Sequence, residues 1–218
     1  MIFLNLKAYR EGFGKRALEL SKIAEKVSER SGTYIAVAVN FLDLPIVARE
    51  VKIDVLAQHV DAIDFGAFTG AVNAEMIKEY GAKGSLINHS EKRMKLADID
   101  FCVSKLRELG MISIVCTNNV STTKAVSALR PSFVAVEPPE LIGSGIAVSK
   151  AEPEIVERAV KAAKEVCKEV RVLCGAGITK HEDYVRALEL GAEGVLLASG
   201  VVKAKDQKKA LEELVGLR

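Results

Sequence analysis

The sequence predicts an α/β protein in which eight β/α units close into a barrel. Eight short strand-like apolar runs recur along the chain, helical periodicity lies between them, and several runs are apolar on both faces. Parallel strands that helices cover on both sides show such continuous apolar runs. Eight units in 218 residues form a small member of a fold that usually takes about 250 residues.

The strands and helices can be assigned in chain order. The predicted strands are Ile2–Asn5, Tyr34–Val39, Ile53–Gln58, Gly84–Ile87, Ile112–Cys116, Phe133–Val136, Arg171–Cys174 and Gly194–Leu197. Apolar residues three and four apart predict helices between them. The clearest stripes are Leu20/Ile23/Ala24/Val27, Ile99/Cys102/Val103/Leu106 and Ile155/Ala159/Ala162/Val166. The segments Asp43–Lys52 and Ser121–Leu129 are short, which predicts shortened helices in the second and fifth units.

Glycine and capping residues mark the ends of several helices. Gly81, Gly110 and Gly191 follow helical stretches, where a left-handed residue commonly ends a helix. Thr179 and Glu182 have the spacing of a capping box and predict a helix start. No linker divides the chain, so we expect one domain over residues 1–218. A doubly wound open sheet is the alternative, but no GxGxxG follows the first strand.

Composition indicates a globular protein with no nucleic-acid or membrane partner. Hydrophobic residues make up 49% and charged residues 28%, and 31 basic against 29 acidic residues leave a net charge of +2. No apolar run approaches the ~20 residues that cross a bilayer, and the N-terminus is a short strand, not a signal peptide. The cysteines form no CxxC pair or zinc-spaced cluster. We therefore expect free buried thiols, no metal and a cytoplasmic location.

Chemistry in a barrel collects at the mouth where the C-terminal ends of all strands meet. After the first strand, Asn5 and Lys7 point to the same side because side chains alternate. The fourth strand leads to His89, and Ser90-Glu91 is expected to open a helix with Ser90 as its N-cap. That helix terminus and desolvation would keep the imidazole neutral. A structural role remains the ordinary alternative for a lone histidine.

The sixth strand delivers Glu137 into a loop with stiff and flexible positions. Pro138 and Pro139 fix φ and remove two backbone donors, so the strand ends there. Gly143 and Gly145 let the backbone bend and approach a ligand closely. A carboxylate beneath a loop that closes suits a general base. A turn with a solvated glutamate is the plainer interpretation.

Small-residue turns follow the seventh and eighth strands, at Gly175–Gly177 and Ala198–Gly200. Barrels build phosphate sites there from backbone N–H groups and a helix N-terminus. The mouth thus combines a base, a neutral electrophile, a cation and a phosphate cradle. Such a set fits proton abstraction beside the carbonyl of a small phosphorylated substrate.

These residues resemble the triosephosphate isomerase family in its compact archaeal form. The matching segments are Asn5–Lys7, Gly66–Gly70, Asn88–Glu91, Val136–Gly143 and the two small-residue turns, from Asn5 to Ser199. The resemblance implies a TIM barrel that interconverts dihydroxyacetone phosphate and D-glyceraldehyde 3-phosphate through an enediolate. It further implies no cofactor and a place in glycolysis and gluconeogenesis.

The resemblance also implies a role for each matched residue. Glu137 is the expected base, His89 the neutral electrophile, Lys7 the catalytic cation, Asn5 its neighbouring donor, and Glu91 a carboxylate that positions the charged groups. The expected substrate-binding residues are Asn5, Leu6, Lys7, Ile142, Gly143, Gly177, Ala198 and Ser199. Closure of loop 138–145 over the enediolate would limit elimination of phosphate.

The resemblance also implies a homo-oligomer, a tetramer rather than a dimer. The trimmed helices leave barrel surface exposed, and the short form of the family covers that surface by forming tetramers. Gly66–Gly70 resembles a loop that reaches into a neighbouring subunit, where Thr69 would brace the active site. Two features depart from the longer forms of the family. Pro139-Glu140 replaces an aromatic residue at the first hinge of the loop, and Ala198-Ser199 replaces two glycines.

Two other classes of function remain as alternatives, a different barrel enzyme and a binding protein without catalysis. A barrel phosphosugar epimerase would need metal ligands or a second acid at the mouth, and an aldolase would need a desolvated lysine within the barrel. A protein that binds a phosphorylated ligand without catalysis would be expected to have lost Glu137, His89 or Lys7. All three residues are present.

Overall fold

Eight parallel strands form a closed barrel in sequential order, and the first strand pairs with the last. The computed structural model describes residues 1–138, 149, 152–175 and 177–217. The strands are β1 Ile2–Asn5, β2 Ile35–Val39, β3 Val55–Ala57, β4 Gly84–Ile87, β5 Ile112–Thr117, β6 Phe133–Val136, β7 Arg171–Gly175 and β8 Gly194–Leu197. The predicted barrel is confirmed, and the open sheet is excluded.

Four strands have the predicted bounds, and the other four differ at one end or both. The largest difference is in β3, which ends at Ala57 and leaves Gln58 outside the strand. The side-chain amide of Gln58 instead donates to the carbonyl oxygens of Lys7 and Ala38, at 3.1 Å each. This residue therefore connects the end of β3 to the turn that follows β1.

Helices separate the strands. They are α1 Lys15–Ser31, α2 Leu44–Glu50, α3 Ala74–Glu79, α4 Leu96–Glu108, α5 Val120–Ser127, α6 Pro153–Val166, α7 His181–Glu189, α8 Ser199–Val202 and α9 Gln207–Leu214. A 3₁₀ helix covers Arg10–Gly12. The predicted short helices of the second and fifth units are confirmed, with 7 and 8 residues. With 6 residues, α3 is shorter still, which the sequence did not predict.

The core has two layers, because alternate residues of each strand face the barrel interior or the helices. The interior is filled by Phe3, Ala36, Ala38, Leu56, Leu86, Ile114, Cys116, Phe133, Ala135, Leu173 and Leu196. The rings of Phe3 and Phe133 meet edge to face with their centroids 5.0 Å apart. Side chains therefore pack the barrel, as this fold requires.

The predicted helix-ending glycines are confirmed, since Gly81, Gly110 and Gly191 have φ values of 91°, 69° and 89°. The predicted capping box of Thr179 and Glu182 is wrong by one residue in both members, since the N-cap is Lys180 and the acidic partner is Asp183. The carboxylate of Asp183, one residue after Glu182, accepts hydrogen bonds from the N–H groups of Thr179 and Lys180. The reason is that α7 begins at His181, so its third residue is Asp183.

The apolar stripe of α6 is also shifted from its prediction. Its buried residues are Val156, Ala159, Ala162 and Ala163, whereas Val166 is 38% exposed. All four cysteines are free and buried, as predicted. Cys167 follows α6 and does not lie within it. Among the described residues, no helix combines the length and apolar character that a bilayer crossing requires.

Candidate active site

One cavity at the C-terminal end of the barrel gathers residues that follow β1, β4, β6, β7 and β8. It is lined by Asn5, Lys7, Tyr9, His89, Glu137, Gly177, Ile178, Thr179, Leu196, Leu197, Ala198, Ser199 and Gly200. Most of the predicted site residues are therefore brought together. Tyr9 was not singled out in the sequence, although its position two residues after Lys7 offered a signal.

Lys7 is held as a fixed cation at the mouth. Its backbone is left-handed, with φ of 51°, which is uncommon for a residue with a long side chain. The N–H group of Lys7 donates to Asn5 Oδ1 at 2.9 Å, and its carbonyl accepts from Gln58. Its Nζ lies 2.8 Å from Glu91 Oε1. Strained backbone held by several contacts is typical of functional sites.

His89 lies in a turn, and the predicted helix at Ser90 is wrong. The N–H group of Lys92 donates to the His89 carbonyl at 2.8 Å, and α4 begins only at Leu96. The helix-dipole argument for a neutral imidazole therefore falls away. A different contact replaces it, because the N–H group of Glu91 donates to His89 Nδ1 at 3.3 Å. A ring nitrogen that accepts a hydrogen bond carries no proton, so the proton belongs on Nε2.

The Glu91 carboxylate also lies near this ring, with Oε2 3.5 Å from His89 Nδ1. Glu91 is largely exposed, whereas both His89 and Lys7 are mostly buried. The carboxylate thus pairs with the lysine and lies near the histidine, and the positioning role that the family resemblance implies for Glu91 remains a prediction.

Glu137 directly follows β6 and is 5% exposed. Its N–H group donates to the Thr117 carbonyl at 2.8 Å, which fixes the backbone. Its Oε2 lies 3.7 Å from His89 Nε2 and has no hydrogen-bond partner among the described residues. A buried carboxylate oxygen without a partner is costly, so it is available to a ligand.

The surroundings of Glu137 are shaped by a glycine and a thiol. A Cβ at position 175 would lie 2.3 Å from Glu137 Cγ, so only glycine leaves room for this side chain. Burial raises the pKa of the Cys116 thiol well above its usual range, and the negative charge of Glu137 raises it further. The thiol therefore stays protonated and places no second negative charge beside Glu137.

The turns after β7 and β8 supply backbone donors. Gly177 has φ of 72°, and the carboxylate of Asp183 fixes the following turn through the N–H groups of Thr179 and Lys180. Helix α8 begins at Ser199, and the first N–H groups of a helix have no partner within it. Such groups favour an anion. Gly177, Thr179 and Ser199 line the same cavity as Glu137.

Some predicted residues lie elsewhere. The side chain of Leu6 is fully buried in the layer between strands and helices, and Thr69 is exposed on the loop before α3. The predictions for Ile142, Gly143 and the closing loop fall on residues 139–148, outside the described residues. The roles predicted for these residues remain predictions.

A second cavity of about 240 Å³ adjoins the first and shares Asn5, Lys7 and His89 with it. Asn40, Gln58, His59, Glu91 and Lys92 complete its polar lining. Among the described residues, no three His, Cys, Asp or Glu side chains are arranged to hold a metal ion.

Comparison with known proteins places the chain in a family. The model of the family described as triosephosphate isomerase matches residues 1–215. Triosephosphate isomerase of Archaeoglobus fulgidus is 75% identical over 217 residues, which cover 100% of this chain and 97% of the relative. Triosephosphate isomerase of Methanothermus fervidus is 63% identical and is covered over 97% of its length. That of Methanocaldococcus jannaschii is 60% identical and is covered over 98% of its length. Both matches span 99% of this chain. The chain belongs to the triosephosphate isomerase family.

Proposed function

We propose that this chain interconverts dihydroxyacetone phosphate and D-glyceraldehyde 3-phosphate through an enediolate, without a cofactor. The main structural support is the approach of His89 Nε2 to the unpartnered Glu137 Oε2, at 3.7 Å, inside the cavity that also holds Lys7. A proton-donating nitrogen and a proton-accepting oxygen are thereby presented to the same small molecule.

The proposed reaction moves one proton between adjacent carbons. Glu137 removes a proton from the carbon beside the carbonyl, and the electron pair shifts onto the carbonyl oxygen. His89 donates a hydrogen bond from Nε2 to that oxygen, and the Lys7 charge stabilises the developing enediolate. The hydroxyl proton on the first carbon passes to the former carbonyl oxygen, the first carbon becomes the new carbonyl, and Glu137 returns its proton to the former carbonyl carbon. The turns at Gly177 and Ser199 hold the phosphate.

A coupled assay tests this function directly. Isomerisation is measured in both directions with the purified chain, in the presence and absence of a metal chelator. We expect turnover that the chelator does not change. Activity abolished by the chelator would favour the metal-dependent epimerase, and substrate binding without turnover would favour the binding protein.

The role of Glu137 is tested by Glu137→Asp, which withdraws the carboxylate by one methylene group. A displacement of about 1 Å can lower a rate roughly 100-fold, so we expect kcat to fall by at least this factor with KM within a few-fold. Glu189→Asp is the matched control, because that carboxylate contacts Arg186 on the surface of α7. Near-normal turnover of Glu137→Asp would exclude Glu137 as the base.

We also propose a homo-oligomer, with a tetramer favoured over a dimer. The exposed loop before α3 carries Phe65 and Phe68, which are 67% and 50% exposed, beside Thr69. The second cavity next to Lys7 offers a place for such a loop from another copy. Leu42 and Ile46 form further exposed apolar surface at α2. Sedimentation analysis tests this, and a monomer with full activity at micromolar concentration would contradict it.

The proposed setting is glycolysis and gluconeogenesis in the cytoplasm. Four free buried thiols support a reducing compartment. The proposed proton transfer is reversible, which suits both pathway directions. Cell fractionation followed by the isomerase assay tests the location.

A further inference from the structure

We propose that Asn88 is a positioning residue that fixes His89 in front of Glu137. The proposal rests on the function proposed above for those two residues. Asn88 directly follows β4 and precedes His89, and its backbone is left-handed with φ of 58°. Asparagine adopts this conformation more readily than most residues, yet its side chain here is also fully engaged.

Three hydrogen bonds of 2.9 Å hold Asn88. Its Nδ2 donates to the Cys116 carbonyl, its Oδ1 accepts from the N–H group of Met94, and its own carbonyl accepts from Arg93 Nη1. The side chain thereby closes the loop from residue 88 to residue 94 and joins it to β5. His89 lies inside this closed loop.

The contact with β5 connects the two catalytic groups. Consecutive carbonyls of this strand hold them: Cys116 accepts from Asn88 Nδ2 at 2.9 Å, and Thr117 accepts from the Glu137 N–H group at 2.8 Å. The turn that bears His89 and the backbone of Glu137 are therefore both fixed to the same short piece of β5. The 3.7 Å distance between His89 Nε2 and Glu137 Oε2 depends on both attachments.

Position 88 requires a positive φ, a side-chain acceptor for the Met94 N–H group and a side-chain donor to the Cys116 carbonyl. Asparagine meets all three requirements. Glycine adopts a positive φ without strain but makes neither side-chain contact. Aspartate accepts from Met94 but cannot donate to the Cys116 carbonyl, and its charge would face that oxygen. Asn88→Gly therefore removes both side-chain contacts, whereas Asn88→Asp removes only the link to β5.

The experiment compares Asn88→Gly and Asn88→Asp with the unchanged chain. We expect kcat to fall at least 10-fold in both variants with KM within about threefold, because the substrate still binds but the electrophile is misaligned. The infrared carbonyl shift of bound dihydroxyacetone phosphate should decrease in parallel. Asn119→Gly, which removes the capping side chain of α5, is the control and should keep wild-type kcat.

Nitrogen NMR of His89 without ligand gives a second measurement that does not depend on turnover. We expect one tautomer with the proton on Nε2 in the unchanged chain, and a mixture or broadening in Asn88→Gly. An inactive wild type that shows this difference would overturn the isomerase function alone. Unchanged kcat and spectra in Asn88→Gly would overturn the role of Asn88, and wild-type kcat in Asn88→Asp would overturn the link to β5.

Discussion

The space beside Glu137 depends on the absence of a single methyl group at position 175. We expect Gly175→Ala to lower kcat by about 10- to 100-fold, because the new Cβ would lie 2.3 Å from Glu137 Cγ and displace the carboxylate that we propose as the base. Gly84→Ala is the control, since its Cβ would lie equally close to the Ile112 carbonyl, at 2.2 Å, at the other end of the barrel. Both variants should melt at lower temperature. An equal kcat in the two variants would contradict the prediction.

His89 is predicted to polarise the substrate carbonyl through Nε2. The contact of its Nδ1 with the Glu91 N–H group leaves Nε2 as the donor. In His89→Gln we expect the infrared carbonyl band of bound dihydroxyacetone phosphate to return towards its position in water, and kcat to fall about 100-fold or more. His181→Gln is the control, since that ring does not line the cavity and its Nδ1 contacts the Leu214 carbonyl. A band that stays shifted would assign the polarisation to another group.

The start of α7 links helix stability to the turn that we propose binds the substrate phosphate. Asp183 accepts from the N–H groups of Thr179 and Lys180 and from the Thr179 hydroxyl, so it orders the turn that follows Gly177. We expect Asp183→Ala to cost about 1–3 kcal/mol of unfolding free energy and to raise KM for the phosphorylated substrate several-fold.

Asn119→Ala provides the comparison for this element, because it also removes a helix-capping side chain but acts at α5. It should lower stability by about 1 kcal/mol and leave KM unchanged. Urea unfolding and steady-state kinetics on both variants check this. A parallel change of KM in the two variants would show that general loosening, and not the turn, weakens phosphate binding.

Buried thiols make the stability of the whole molecule fall at high pH. Burial raises the pKa of Cys102 and of Cys174 from the ordinary 9.0 to about 12, and nearby carboxylates add to the effect. The folded protein keeps these protons where the unfolded chain loses them. The thiols' contribution is therefore complete below about pH 9 and disappears as the pH rises towards 12.

We expect the urea concentration at the unfolding midpoint to decrease as the pH rises from 9 to 12. This decrease should be less steep in Cys102→Ala than in the unchanged chain. The comparison of slopes removes the contribution of lysine and tyrosine titration, which both proteins share. Identical slopes would show that the Cys102 thiol ionises as readily when folded as when unfolded.

Sequence patterns predicted the structure correctly where the residues of one segment determine the conformation of that segment. The bounds of β1, β4, β6 and β8 and the helix-ending glycines follow from apolar runs and turn chemistry. The turn at Ser90 could not be predicted, because it depends on two hydrogen bonds of the Asn88 side chain. Asn88 accepts from the N–H group of Met94 and donates to the carbonyl of Cys116 in β5, which is distant in the sequence. Competition from such contacts prevents the helix that Ser90-Glu91 favours locally.

The sequence by itself determined the barrel, the order of its units and the residue types at its mouth, since these depend on periodicity and on where each strand ends. The tertiary structure alone decided the distances among those residues. Lys7 meets Glu91 at 2.8 Å across 84 positions of the chain, and His89 lies 3.7 Å from Glu137. The physical reason is that barrel closure and strand register set these separations, and neither is encoded in a single segment.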